Sequence, residues 1–232
     1  VLVWLMIYPM MLRIDLGSVL AVRRRPRGIA VTLFVNWLVK PFSMALVGWI
    51  FFKLLFVGWL GEALADQYLA GVIILAAAPC TAMVFVWSQL TGGDPAYTLV
   101  QVSLNDLLML VLFVPLVGFL VSGASGLQVP FHVLAASVLV FVMIPLALGV
   151  ASRTLLLRLF GPEWFETRWL ARFRPVTILA LLATLVLIFA FQADNVTGRL
   201  FHVVLIAIPI LLQVYFNAGL AYWLMHRVGV GH

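Results

Sequence analysis

The sequence predicts an all-α fold, a polytopic membrane helical bundle, and three observations lead there. Apolar residues make up 65% of the 232 positions and charged residues 9%, with a mean hydropathy of +1.19, far outside the globular range. The apolar residues fall into runs long enough to cross a hydrocarbon layer of about 30 Å at about 1.5 Å per residue. The arginines gather in two short segments between those runs, as they do in cytoplasmic loops under the positive-inside rule. The formal charge of +6 therefore belongs to loops at a membrane surface, and a nucleic-acid partner is excluded. One cysteine rules out an intrachain disulfide and says nothing about redox compartment. No catalytic residue, cofactor or resident metal is expected. Val1 opens inside an apolar run without a basic n-region or a cleavage site, so no targeting segment is visible and the chain is expected to start mid-protein.

Taken in order, residues 1–12 are too short to cross alone and read as a partial span. Arg13 to Arg27, dense in arginine around Pro26, marks the cytoplasmic side. The next span, 28–52, therefore runs outward. Lys53 to Gln67, with Trp59, Glu62 and Asp66, reads as an external, partly interfacial segment, and the span 68–90 returns inward. Thr91 to Pro95 is a tight turn of loop-forming residues. Residues 96–121 run outward, Ser122 to Gln128 form an external loop, and 129–151 return, with His132 placed as an interfacial residue rather than a ligand. Arg153 to Pro175 is the second basic loop, whose Trp164 and Trp169 suggest a short amphipathic helix on the membrane surface. Residues 176–192 go out, Gln192 to Arg199 turn outside, and 200–225 come back, all within one transmembrane domain.

Residues 68–88 carry no charge, which puts Cys80 near the middle of the membrane. Pro79 removes a backbone donor and disfavours helical geometry at Ala78, so a discontinuous helix is predicted, stopping near Ala77 and restarting at Pro79. Unpaired amides and a positive dipole end would then face the thiol, a setting that suits a ligand for soft metals and metalloids. A buried cysteine is also commonly a small apolar filler, and chemistry alone leaves both readings open.

Three spans carry a polar pair four residues apart: Asn36 with Lys40, Gln101 with Asn105, and Gln213 with Asn217. These stripes either glue helices together or line one polar cavity that includes Cys80. Lys40, just before Pro41, either snorkels to an interface or faces that cavity and a partner. Asp106 is an intramembrane carboxylate with a functional or a structural role.

The run AAAPCTAMVFVWSQLTGGDPAYTLVQVSLNDLLMLVLF, residues 76–113, closely resembles the most distinctive segment of the arsenite efflux permeases of the bile acid/arsenite/riboflavin transporter superfamily. WLMIYPMMLRID at 4–15, NWLVKPFSMALVGW at 36–49 and the helix bearing Gln213, Tyr215 and Asn217 are also similar to that family, so the likeness covers most of the chain. The resemblance implies two inverted helical repeats, each with a discontinuous helix crossing its mate near the midplane. Counted against the family, the first span and the last two are missing, and with them the family's important glutamate; the chain alone is then expected to be unable to perform coupled transport. It implies export of arsenite from the cytoplasm, with antimonite as a second candidate, in exchange for protons across the cell membrane. The substrate site would comprise Cys80 as metalloid ligand with Thr81, Asn36, Gln101, Asn105 and Asn217, while Lys40 and Asp106 serve ion coupling or structure. Two rivals stand beside this reading. One is a sodium-coupled organic-anion carrier, which Cys80 and the lack of an acidic sodium cage disfavour. The other is a membrane thiol redox sensor, which lacks a histidine base on the same or an adjacent span near that depth.

The orientation makes a first prediction: Arg23 to Arg27 and Arg153 to Arg174 face the cytoplasm, and Glu62, Ser125 and Asp194 face outside. Single cysteines placed at 125 and 194 in a Cys80→Ala background should react with an impermeant maleimide on intact cells. Labelling confined to the cytoplasmic side overturns the orientation of every span.

Overall fold

The structure is a computed structural model that describes residues 2–12, 26–78, 84, 88, 90–127 and 130–230, and all regular elements among them are helical. Helix α1 is Leu2–Met11. Helix α2 is one rod, Pro26–Leu55, α3 the short turn Val57–Leu60, and α4 Glu62–Ala77. Helix α5 is Pro95–Ser125. Helix α6 runs as Phe131–Val138, a π-helical turn Leu139–Met143, and Ile144–Trp164. Helix α7 is Ala171–Phe191, α8 Ala193–Gly198 and α9 Leu200–Arg227. Four stretches, Pro26–Leu55, Tyr97–Ser125, Phe131–Phe191 and Leu200–Arg227, are long and apolar enough to cross a membrane.

Proline shapes the rods. In α2 the π-helical turn Phe34–Val39 sits directly before Pro41, and the Lys40 amide bonds back to the Val35 carbonyl, five residues earlier. In α6 the turn Leu139–Met143 sits before Pro145, and the Ile144 amide reaches the Leu139 carbonyl in the same way. A proline ring clashes with the carbonyl four residues back and offers it no N–H; one widened turn relieves the clash without ending the helix.

The core lies between α2, α4, α5, the first turns of α6 and Leu205 of α9, with Phe52, Leu69, Ile73, Val117 and Val121 fully buried. Gly48 lets α2 and α4 touch: a Cβ there would stand 2.9 Å from Leu69 Cδ1 and 3.2 Å from Val72 Cγ2. Helix α1 docks separately on α6 and α7. Gly149 receives the end of α1 so closely that a Cβ would stand 2.9 Å from the Met11 backbone carbon. Around that contact, Tyr8 Oη donates to Ser152 Oγ at 2.9 Å, and an Arg153 N–H donates to the Leu12 carbonyl at 3.2 Å. Arg153 thus meets a carbonyl left over at the C-terminal, negative end of α1 while its guanidinium lies 5.5 Å over the Phe165 ring.

The outer surface is apolar. Ile178, Leu182, Val186 and Phe189 of α7 and Leu211, Val214 and Phe216 of α9 stand exposed, whereas Asn105, Asp106, Gln213 and Asn217 are buried. Polar groups inside and hydrocarbon outside is the arrangement of a chain whose solvent is lipid.

Several helices exceed the expected stretches. Helix α4 starts at Glu62 rather than 68, because Gly61 breaks the chain with φ 76° and Glu62 favours the positive end of a new helix. Lys53 pairs with Asp66 across α2 and α4, so the segment 53–67 is mostly helical. The Arg153 to Pro175 segment is helical on both sides of one break. Helix α6 continues past 151 to a break at Gly161, φ 79°, and the chain is helical again through Phe165–Leu170 into α7. Trp164 stacks on Phe160 at 4.4 Å and Phe165 is buried, while Glu163, Glu166, Thr167 and Arg168 of this connector stand exposed. Ser125 is buried and donates to the Val121 carbonyl, so exposed Asp194 is the better labelling position.

These contacts predict unequal tolerance at two glycines. Gly149→Val should destabilise the protein by about 1–3 kcal/mol through overpacking against Met11, whereas Gly118→Val meets open space. Thermal unfolding in detergent, followed by tryptophan fluorescence, checks this; equal melting of the two variants would remove the α1 contact as an explanation.

Candidate functional site

Helix α2 carries the polar centre, in and just beyond its widened turn. Asn36 Nδ2 and Trp37 Nε1 both donate to Asn105 Oδ1 on α5, each at 3.1 Å. Asn105 Nδ2 donates to the Gln101 carbonyl at 2.8 Å, which fixes the amide's orientation and leaves its oxygen for α2. One turn further along α2, Lys40 Nζ donates to the Ala78 carbonyl at 2.9 Å. The Lys40 carbonyl in turn accepts from Gln213 Nε2 of α9 at 3.0 Å and from Ser43 Oγ at 3.1 Å. Asn217 Nδ2 donates to the Gln213 carbonyl at 2.7 Å and lies 3.5 Å from Ser43 Oγ. Two consecutive turns of α2 thus hold α5 on one side and α4 and α9 on the other.

Helix α4 stops inside this cluster. Its last residue is Ala77, and Ala78 is extended with φ −82° and ψ 127°, the geometry expected of a residue before proline. The terminal carbonyls of a helix lack intrahelical donors and carry the negative end of its dipole, so the Lys40 ammonium answers both needs at once.

Two buried acceptors in the same region have no donor among the described residues, Gln101 Oε1 and Asn217 Oδ1. Asn217 is 9% exposed, and its amide cannot be turned to hide the deficit, because its nitrogen is committed to the Gln213 carbonyl. Ser103 Oγ is likewise buried without a partner among the described residues. A buried polar atom left unmet costs about 1–3 kcal/mol, and a water, an ion or a ligand can meet it.

The structure therefore brings together Asn36, Gln101 and Asn105, and joins Lys40 and Asn217 through Gln213 and Ser43. Asp106 is buried on α5 and engaged with a partner. Cys80 and Thr81 lie outside the described residues, directly after Ala78 and Pro79 in sequence. Asn36, Lys40, Asn105, Gln213 and Asn217 are interhelical ties, whereas the Gln101 side chain ties no other helix among the described residues. Trp37, Ser43 and Gln213 are the members that sequence reasoning did not place in the site. An indole N–H in an apolar span needs an acceptor, and that was the available signal for Trp37. Tyr215, between Gln213 and Asn217, is 75% exposed and faces away. A second polar recess of about 350 Å³ lies near the N-terminal end of α4, where Tyr68 Oη and His202 Nδ1 are 2.9 Å apart. None of the expected residues lines it.

Comparison with known proteins accords with this geometry. The chain is 50% identical over 222 residues to the Arsenical-resistance protein Acr3 of Alkaliphilus metalliredigens, a match that covers 96% of this chain and 62% of that protein. It is 40% identical over 220 residues to an uncharacterized transporter of Synechocystis, covering 91% of this chain and 57% of that one. To the Arsenical-resistance protein Acr3 of Corynebacterium glutamicum it is 32% identical over 221 residues, covering 91% and 56%. The chain thus spans less than two thirds of the length of the curated relatives it matches. The Sodium Bile acid symporter family model matches residues 1–199, and with most of its length so matched the chain belongs to that family.

Proposed function

We propose that this protein is a multi-pass carrier of the cell membrane that exports arsenite, with antimonite as a second substrate, from the cytoplasm in exchange for protons. Cys80 is the metalloid ligand, and Thr81, Asn36, Gln101, Asn105 and Asn217 supply the polar surroundings. The observation that carries the reading is the pair of buried acceptors without donors among the described residues, Gln101 Oε1 and Asn217 Oδ1, on the two helices that α2 ties together beside the end of α4, three residues before Cys80. Arsenous acid is neutral near pH 7, presents O–H donors and is thiophilic, so it matches orphan acceptors beside one sulfur. One sulfur ligand binds and also lets go, which a carrier requires. Two relatives bear the name of arsenical-resistance proteins, and that supports the choice of metalloid.

The mechanism moves the helices around a fixed site. Helices tied at a midplane cluster rock so that the cluster opens to one side and then the other. The hydroxyls of the substrate replace water with the amide acceptors, while the sulfur bond selects the metalloid over other small neutral acids. Asp106 is buried and Lys40 half-buried, and Asp106 is the candidate for handling the exchanged proton. A sodium-coupled organic-anion carrier would have no use for a sulfur ligand at this point.

Two substitutions separate these roles. Cys80→Ser, expressed from the complete reading frame in an arsenite-sensitive host, should abolish resistance and arsenite uptake by everted vesicles at unchanged membrane abundance, because serine preserves size without soft-ligand affinity. Uptake at the parent rate would reduce Cys80 to a packing residue.

Asn217→Leu removes an unmet acceptor, so it should leave the melting temperature unchanged or raised. The same change should raise the KM for arsenite about tenfold, the loss of one hydrogen bond of about 1.4 kcal/mol. An unchanged KM in a folded variant would take Asn217 out of the site.

A further inference from the structure

A helix that ends in mid-membrane exposes carbonyl oxygens at the negative end of its dipole, and in carriers built on broken helices such ends coordinate the coupling cation. In this chain that position is already taken. The Ala78 carbonyl accepts from the ammonium of Lys40, at 2.9 Å, and Lys40 belongs to a different helix. We propose that Lys40 is a tethered cation: its ammonium stands where a carrier of a sodium-symporter family would hold a sodium ion, and it makes this protein's cycle independent of sodium. The inference rests on the reading of the protein as a carrier, and does not depend on arsenite being the substrate.

The chemistry of the site favours a built-in charge over a free one. An ammonium and a sodium ion both carry one positive charge and are met by carbonyl oxygens, but the ammonium is covalently held, so it costs no ion concentration to keep in place. The side chain is half-buried, and its own backbone carbonyl is bonded to Gln213 and Ser43, which limits how far the head group can retreat. Lys40 follows the widened turn Phe34–Val39 and precedes Pro41, an irregularity that sets the direction of its side chain relative to Asn36. A snorkelling lysine would point along the rod toward an interface; this one bonds sideways to the break in α4.

Lys40 acts here as a positioning residue. It holds the end of the half-helix that leads into Pro79 and Cys80, and Ala78 is only two residues from Cys80.

The experiment measures sodium binding without any substrate. Protein expressed from the complete reading frame is purified in detergent and melted in sodium chloride or potassium chloride at equal ionic strength. The parent should melt at the same temperature in both salts. Lys40→Ala and Lys40→Ser should melt lower than the parent in potassium and gain about 2–4 °C in sodium, with saturation, because an ion that binds only the folded state stabilises it. Methylammonium should rescue the same variants, and Lys40→Arg should keep the parent's indifference to sodium. A merely structural lysine would be replaced by methylammonium and not by sodium.

Sodium stabilisation of the parent itself would overturn the proposal, and this arm depends on no variant folding. So would alanine and serine variants that melt identically in both salts. Arsenite plays no part in these measurements, so a failed arsenite assay with the sodium result intact would change the substrate and leave the tethered cation standing.

Discussion

A helix that stops inside a bilayer leaves carbonyls with no water to meet them, and the bond from the Lys40 ammonium to Ala78 answers that constraint. Much of the polar interior follows from it. Lys40 must sit at mid-depth on α2, so α2 needs partners for the rest of that turn, and Gln213 and Ser43 supply them at its carbonyl. Asn36 and Trp37, one turn earlier, converge on the single oxygen of Asn105 and bring α5 to the same place. The cluster is a bracket around the point where α4 breaks.

Close approach of the helices makes such a bracket possible. Gly48 sets α2 against α4, so the groups that bond across the bundle start from backbones already in contact. The prolines contribute through the turns they widen. Without the i to i+5 bond at Lys40, α2 would either kink at Pro41 or turn Asn36 and Lys40 to another azimuth. At the other end of the bundle Arg153 serves α1 as Lys40 serves α4, with a cation bonded to a carbonyl at a helix's negative end.

The cluster also holds a deficit. Asn105 Oδ1 is fully used, accepting twice, yet Gln101 Oε1, Asn217 Oδ1 and Ser103 Oγ have no partner among the described residues. A bundle selected for stability alone would replace them with apolar side chains of similar volume. On the proposed reading, a ligand that brings its own donors meets the unmet acceptors.

Composition and periodicity alone determined the all-α membrane class, because nothing but a helix satisfies its own backbone in hydrocarbon. The stop of α4 at Ala77 was also legible, since the restriction that Pro79 places on Ala78 is local. So were the three stripes, because a spacing of four residues defines one face of a helix. What faces meet was not legible. The i to i+4 rule says that Asn36 and Lys40 share a face, but not that one reaches Asn105 and the other Ala78, since those contacts join residues 69 and 38 positions apart. Helix ends were not legible either, since Glu62 and the Arg153 to Pro175 segment look polar in sequence and are helical over most of their length. Local polarity marks the membrane surface, whereas a helix ends only where its backbone turns, at Gly61 and Gly161. Only the tertiary structure decided that Lys40 bonds sideways rather than snorkels, because the carbonyl it needs belongs to another helix.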